Sequence, residues 1–159
     1  MCGIVGSFNN KNYTDFSFLK IMSKKLINRG PDDYGEYFDN NIGFCFRRLS
    51  IVDLSKNSNQ PLADDRYIII FNGEIYNFKE LKDQIIKSDP NIKFISNGDA
   101  EVILKAYSIW GKDCLSKLEG MFAFAIWDKF KKSLFIARDR FGEKPLFYSI
   151  SKNYGFVFA

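Results

Sequence analysis

Cysteine is the second residue of the chain, in Met1-Cys2-Gly3-Ile4-Val5-Gly6, and the sequence contains no histidine. A thiol nucleophile here has to take its base from something other than an imidazole. Removal of Met1 would supply one: the freed α-amino group lies a few bonds from the sulfur and titrates at about 7.7 to 8.0, against about 8.5 for a free thiol. A useful fraction of that amine is unprotonated near neutral pH and can take the thiol proton as the sulfur attacks. The competing reading makes Cys2 a small buried hydrophobe at the start of a strand. The hexapeptide by itself leaves both open.

Other clusters carry complementary groups. Arg47-Arg48-Leu49-Ser50-Ile51-Val52-Asp53 closes an expected strand with two guanidiniums. An inward one could clamp a carboxylate bidentately, whereas an outward one is a surface cation at a strand end. In Phe71-Asn72-Gly73-Glu74-Ile75-Tyr76-Asn77 the Asn amide and the Gly N–H could converge on a developing oxyanion, or form an ordinary Asn-Gly turn. Ser96-Asn97-Gly98-Asp99-Ala100-Glu101 heads an expected helix, with Asp99 as its N-cap or, alternatively, as the partner of a substrate ammonium. The charged segment from Arg138 to Tyr148 reads as a solvated hairpin, with a docking surface for a further domain as the alternative. Gly-rich phosphate loops are absent, and without His or paired Cys motifs no metal site can be assembled from the usual ligands.

The elements that would position these groups follow from periodicity. Residues Ile4 to Phe8 are expected to form a strand, and Phe18, Leu19, Met22 and Leu26 mark a helix capped by Asp15 or Ser17 that ends before the turn Arg29-Gly30-Pro31-Asp32. Two strands, from Tyr34 to Phe38 and from Ile42 to Leu49, flank Asp39-Asn40-Asn41. The apolar run Tyr67-Ile68-Ile69-Ile70-Phe71 suits a strand buried on both faces, ended by Asn72-Gly73. Asn77 with Glu80 resembles a capping box for a second helix, and a third is expected from about Asp99 to Trp110. From Met121 onward four short runs separated by turns predict an antiparallel meander, the first of them apolar on both alternate sets and therefore covered on each side. Strands with helices between them suggest sheets sandwiched by helical layers. The last residues, Phe156-Val157-Phe158-Ala159, stop inside an expected strand, so the chain is expected to be the front part of something longer.

Composition narrows the class. A 159-residue chain that is 46% hydrophobic fits one globular domain filling the sequence. Its net charge of +4 comes from lysines interleaved with acids, as in Lys79-Glu80-Leu81-Lys82-Asp83, which is a solvated surface rather than a nucleic-acid stripe. Three cysteines without paired spacing argue for a reducing compartment, hence the cytoplasm, and no stretch approaches the roughly 20 apolar residues that span a bilayer.

Taken in order, Met-Cys-Gly-Ile-Val-Gly, Arg29-Gly30-Pro31-Asp32, Arg48-Leu49-Ser50-Ile51-Val52-Asp53, Asn72-Gly73-Glu74-Ile75-Tyr76-Asn77, Gly120-Met121-Phe122-Ala123-Phe124 and Arg138-Asp139 with Lys144-Pro145-Leu146 resemble one family across the whole chain. It is the class II glutamine amidotransferase domain, in the version that begins glutamine-hydrolysing asparagine synthetases. The resemblance implies an α+β N-terminal-nucleophile hydrolase fold, a four-layer αββα sandwich of two antiparallel sheets. It implies hydrolysis of L-glutamine to glutamate and ammonia, with Cys2 as nucleophile and Asn72 and Gly73 as oxyanion hole. By the same resemblance Arg48 grips the glutamine α-carboxylate, Asp99 holds its α-ammonium, and Glu74 with the backbone of Leu49, Ser50, Ile51 and Val52 lines the pocket. No cofactor is expected in residues 1–159; ATP and Mg belong to a C-terminal synthetase domain of the same polypeptide, which would receive the ammonia. Many family members carry histidines where this chain has Asn28 and Phe46, so any pH response from those histidines does not transfer.

Two functions compete on this basis. One is a glutaminase feeding asparagine synthesis or another amide acceptor. The other is a glutamine-binding module without turnover, which retention of Met1 would produce because a peptide-bonded Cys2 nitrogen is no base.

Overall fold

The computed structural model describes residues 2–10, 15–50 and 55–159. Among these, nine strands and three α-helices alternate along the chain: β1 (Gly3–Phe8), α1 (Ser17–Lys25), β2 (Asp33–Phe38), β3 (Ile42–Arg48), β4 (Leu62–Ala63), β5 (Tyr67–Ile75), α2 (Phe78–Ser88), α3 (Asp99–Trp110), β6 (Gly120–Asp128), β7 (Ser133–Arg138), β8 (Tyr148–Ser151) and β9 (Gly155–Phe158). They form a five-stranded sheet in the order β2-β3-β1-β9-β8 and a four-stranded sheet in the order β4-β5-β6-β7. All pairings are antiparallel.

The period-2 alternation of side chains decides what lies between the sheets. Ile4 of β1, Ile42, Phe44 and Phe46 of β3, Ile68 and Ile70 of β5, and Ala123, Ala125 and Trp127 of β6 share one buried cluster. The opposite faces bury against helices. Val5 and Cys45 pack with Phe16 and Leu19 at α1, while Ile69, Phe71 and Phe124 pack with Leu81 of α2 and Val102, Ile103 and Ala106 of α3. The layers therefore run helix, sheet, sheet, helices: an α+β four-layer αββα sandwich. The expectation for β6 holds, since both of its alternate sets are covered. The three cysteines form no disulfide, and no helix among the described residues is long and apolar enough to cross a membrane.

Several local expectations are corrected. Asn72-Gly73 does not end β5, which continues to Ile75 because Gly120–Phe122 of β6 supply a ladder partner for each further residue. At Gly73 a Cβ would stand 2.2 Å from the Met121 carbonyl oxygen, so glycine is what lets the two backbones stay paired. Replacing Gly73 by alanine is expected to lower Tm by roughly 5 °C or more, as overpacking against backbone does; a thermal melt measures it. The meander is also broken. β6 and β7 stay in one sheet, but β8 and β9 belong to the other, next to β1. The segment Asp139–Phe147 is therefore a crossing between sheets and not a hairpin.

Two caps differ as well. Asn77 occupies the N-cap position of α2 without a side-chain cap bond. Its amide instead donates to the Lys117 carbonyl (2.9 Å) and accepts from the Glu119 N–H (3.1 Å), tying α2 to the approach to β6. Ser17 begins α1 after Phe16 at the cap position, and Asp15 accepts its N–H at 2.8 Å.

Candidate functional site

The register between β1 and β3 pairs Gly3 with Arg47, which sets Cys2 beside the C-terminal end of β3. Alternation then sorts the two arginines. Arg48 has the parity of Phe44 and Phe46 and enters the space between the sheets, 8% exposed, whereas Arg47 turns outward onto the Tyr34 ring and donates to the Ser23 hydroxyl at 3.2 Å. Cys2 has the parity of Ile4 and faces the same space. From the other sheet, Asn72 has the parity of Ile68 and Ile70 and is 3% exposed. A single cavity at this end of the sandwich is lined by Cys2, Arg48, Leu49, Asn72, Gly73, Glu74 and Asp99.

The thiol is tied to one neighbour in both directions. Cys2 Sγ accepts the Leu49 N–H at 3.4 Å and donates to the Leu49 carbonyl at 3.6 Å. Burial pushes the thiol above its ordinary range, and the Leu49 N–H offsets only part of that. Cys2 thus rests as a thiol and needs a base to become a thiolate. The main chain on its other side is held by Arg29, whose Nε donates to the Cys2 carbonyl at 3.2 Å.

The edge of β5 provides the donors. Residues of a strand point their N–H groups alternately to either side. Even-numbered residues here face β6, as the Tyr76 N–H shows by continuing to the Glu119 carbonyl at 2.7 Å. Odd-numbered residues face the opposite edge, which β4 covers only at Ile68 and Ile69. There the Phe71 N–H donates to Gln60 Oε1 (2.6 Å) and the Ile75 N–H to Asp99 Oδ2 (3.0 Å). The Gly73 N–H lies between these two on the same edge, with no strand beside it among the described residues, in the wall of the cavity that Asn72 also lines.

Asp99 is not the N-cap of α3, a correction to the sequence expectation. Gly98 holds that position with extended backbone, and Asp99 is the first helical residue. Its carboxylate accepts the N–H groups of Asp99 itself and Ala100 at the start of the helix and also reaches across to β5. Burial pushes its carboxyl above the usual range, the Ile75 N–H pulls it back in part, and the nearby Glu74 adds to the rise. Glu101 fixes the approach to this helix by accepting the N–H groups of Ile95 (3.0 Å) and Ser96 (2.8 Å) and the Ser96 hydroxyl (2.6 Å).

The remaining expected pocket residues differ in placement. Ser50 is absent from the cavity lining, and its N–H donates to Asp32 Oδ2 at 2.8 Å, pinning the Arg29-Gly30-Pro31-Asp32 turn. Ile51 and Val52 lie outside the described residues. Glu74 is exposed at the rim. Several lining residues were given no site role from the sequence, although Met121 and Lys144 lie in motifs that carry the resemblance. Ser58 ends a short 3-10 turn (Lys56–Ser58) before β4 and Gln60 follows it, while Met121 and Lys144 enter from the start of β6 and the sheet crossing. Lys144 is 5% exposed although it lies in a strongly charged run. The cause is Asp139, whose carboxylate accepts the N–H groups of Lys144 (3.0 Å), Glu143 (2.8 Å), Phe141 (3.1 Å) and Phe122 (3.2 Å) and folds the crossing inward. Burial alone would raise the Asp139 carboxyl, but those donors hold it below the usual carboxylate range.

A cavity with one thiol, one inward guanidinium, one inward carboxylate and an amide beside an open N–H suits a small zwitterion with an electrophilic carbonyl. Comparison with known proteins points the same way. Asparagine synthetase [glutamine-hydrolyzing] 1 of Bacillus subtilis (strain 168) is 44% identical over 155 residues, which cover 94% of this chain and 24% of that protein. Amidase chry2 of Gibberella zeae is 34% identical over 168 residues, covering 96% of this chain and 25% of that protein. The chain thus spans about a quarter of the length of these curated relatives. Among solved structures, glutamine phosphoribosylpyrophosphate amidotransferase from B. subtilis superposes with a TM-score of 0.59 at 16% identity, over 98% of this chain and 35% of that one, and shares its fold. Finally, the family model of the glutamine amidotransferase domain matches residues 1–159, from the cysteine at the mouth of β1 to the end of β9, and the chain belongs to that family.

Proposed function

We propose that this domain hydrolyses L-glutamine to L-glutamate and ammonia through a thioester on Cys2. The observation that carries the reading is the convergence, from two different sheets, of the Cys2 thiol with Asn72 and the edge N–H of Gly73 on one cavity that also holds Arg48 and Asp99. Arg48 binds the α-carboxylate and Asp99 the α-ammonium, so the side-chain amide points toward Cys2. Removal of Met1 frees the Cys2 α-amine, which takes the thiol proton as sulfur adds to the γ-carbon. The carbonyl oxygen becomes anionic and accepts from the Asn72 amide and the Gly73 N–H. The protonated α-amine then returns its proton to the leaving nitrogen, the C–N bond breaks, and ammonia departs. Water, deprotonated by the same amine, opens the thioester and releases glutamate with the thiol restored. The whole polypeptide would deliver the ammonia to an ATP- and Mg-dependent synthetase domain, with asparagine formed from aspartate, in the cytoplasm. The longer relatives named as asparagine synthetases support that assignment.

A glutamine analogue with an electrophilic side chain tests the site. Single labelling at Cys2, blocked by glutamine, is expected for protein whose intact mass shows loss of Met1. Absence of labelling in such protein overturns the reading, and quantitative retention of Met1 in the native cell favours the binding module.

Asp99 gives a pH-dependent prediction. Its carboxyl is raised by burial, so on acidification the ammonium grip fails at a higher pH than an ordinary aspartate would give, and KM for glutamine is expected to climb there. Stability runs the opposite way: the folded state binds the proton more tightly than the unfolded chain, so stability declines as pH rises from the unfolded pKa through the folded one. Asp99→Asn, which keeps an acceptor for the Ile75 N–H, is therefore expected to hold or raise Tm at neutral pH while raising KM by roughly tenfold or more, the scale of a lost charged hydrogen bond. Parallel melts and glutamate-release kinetics check both arms.

A further inference from the structure

The segment from Ser58 to Gln60 contributes Ser58 and Gln60 to the cavity wall and contacts several of its other elements. Ser58 sits against Gly98, where an added Cβ would lie 2.9 Å from the Ser58 hydroxyl oxygen. Asn59 accepts from Arg48 through its side-chain oxygen. Gln60 reaches furthest. Its main-chain carbonyl packs against Gly35 of β2, so closely that a Cβ there would fall 1.9 Å away, and its side chain accepts the Phe71 N–H of β5. One residue thereby spans the two sheets, the one that carries Cys2 and Arg48 and the one that carries Asn72 and Gly73.

That span matters because β5 loses its outer neighbour at Ile69, where β4 ends its pairing. An unpaired edge is the part of a strand most prone to fray, and the donor that must stay aimed, the Gly73 N–H, lies on that edge. Two side chains stand in for the missing strand, Gln60 at Phe71 and Asp99 at Ile75. Asp99 also has the ammonium to hold. Gln60 carries no charge, and its acceptor is necessarily the carboxamide oxygen.

We propose that Gln60 is a positioning residue of the glutamine site, acting through Phe71 to hold Asn72 and the Gly73 N–H in register with Cys2. This rests on the glutaminase reading above. The test is glutamate release by the Met1-processed chain carrying Gln60→Glu or Gln60→Met. Glutamate keeps an acceptor for the Phe71 N–H and places an anion in a cavity that receives a carboxylate, so kcat is expected within about threefold of wild type with KM raised. Methionine keeps the volume and loses the acceptor, so kcat is expected to fall roughly tenfold to a hundredfold, the scale of a misplaced catalytic group, with KM within about threefold. A general packing defect would not produce this crossed pattern. Unchanged kcat in Gln60→Met, or a kcat loss in Gln60→Glu as large as tenfold, overturns the proposal; the latter measurement decides alone if the methionine variant does not fold. Wild-type protein that releases no glutamate overturns the glutaminase reading and this proposal with it, whereas active wild type with the wrong pattern in the variants overturns this one only.

Discussion

Replacing Cys2 by alanine in the Met1-processed chain is expected to abolish glutamate release, with a loss of about a thousandfold or more in kcat, because knocking out a nucleophile can cost up to about a millionfold. Cys2→Ser is expected to fall nearly as far. A serine hydroxyl is a far weaker acid than a thiol, and the only base proposed for it is an amine titrating near 8. Both variants should keep the wild-type Tm within a few degrees. The Cys2 side chain is only half-buried, and its hydrogen bonds among the described residues run to the Leu49 main chain. Alanine protein that still turns glutamine over at the wild-type rate would remove sulfur from the mechanism altogether. Isothermal titration of the same variant with glutamine separates binding from chemistry. Arg48 and Asp99 remain in place, so affinity should persist when turnover is gone.

The second large effect is expected at Asn72. Asn72→Ala should lower kcat by roughly a hundredfold or more with little change in KM, the result of losing one oxyanion donor. The split follows from geometry. Asn72 faces the cavity from the middle of a ladder that runs unbroken from Tyr67 to Ile75, so trimming its side chain leaves β5 paired with β6. Arg48 and Asp99, which hold the two ends of the ground-state ligand in the proposed pose, come from β3 and α3. An unchanged kcat would mean that the Gly73 N–H works without Asn72. A rise in KM matching the fall in kcat/KM would make Asn72 a ground-state contact.

Gly73 illustrates how a short motif misleads when read locally. Asn-Gly is the strongest turn signal in that stretch, yet the pair lies inside a strand. The ladder partner that overrides it, Phe122, is far away in sequence, and the reason for glycine is the Met121 carbonyl rather than a turn. The charged run after Arg138 misled for a related reason. Its charged residues look solvated one by one, but Asp139 gathers neighbouring N–H groups and carries Lys144 inside. Asp99 was the reverse case. The apolar period places the start of α3 at about Asp99, while the N-cap position expected for that acid is held by Gly98.

Sequence alone determined which chemistry was available: a thiol one residue from the start, no imidazole to serve it, and one cation, one anion and one amide-glycine pair to surround a zwitterion. It also determined most elements, because apolar spacing at period 2 or 3.6 is written into consecutive residues. Only the tertiary structure decided that Arg48 and not Arg47 turns inward, that the Gly73 N–H lies on the strand edge beyond the β4 pairing, and that Gln60 ties that edge to the opposite sheet. Those outcomes depend on register and on contacts between segments far apart in the chain. A side chain's parity relative to the core exists only once two sheets have stacked and chosen which face to bury.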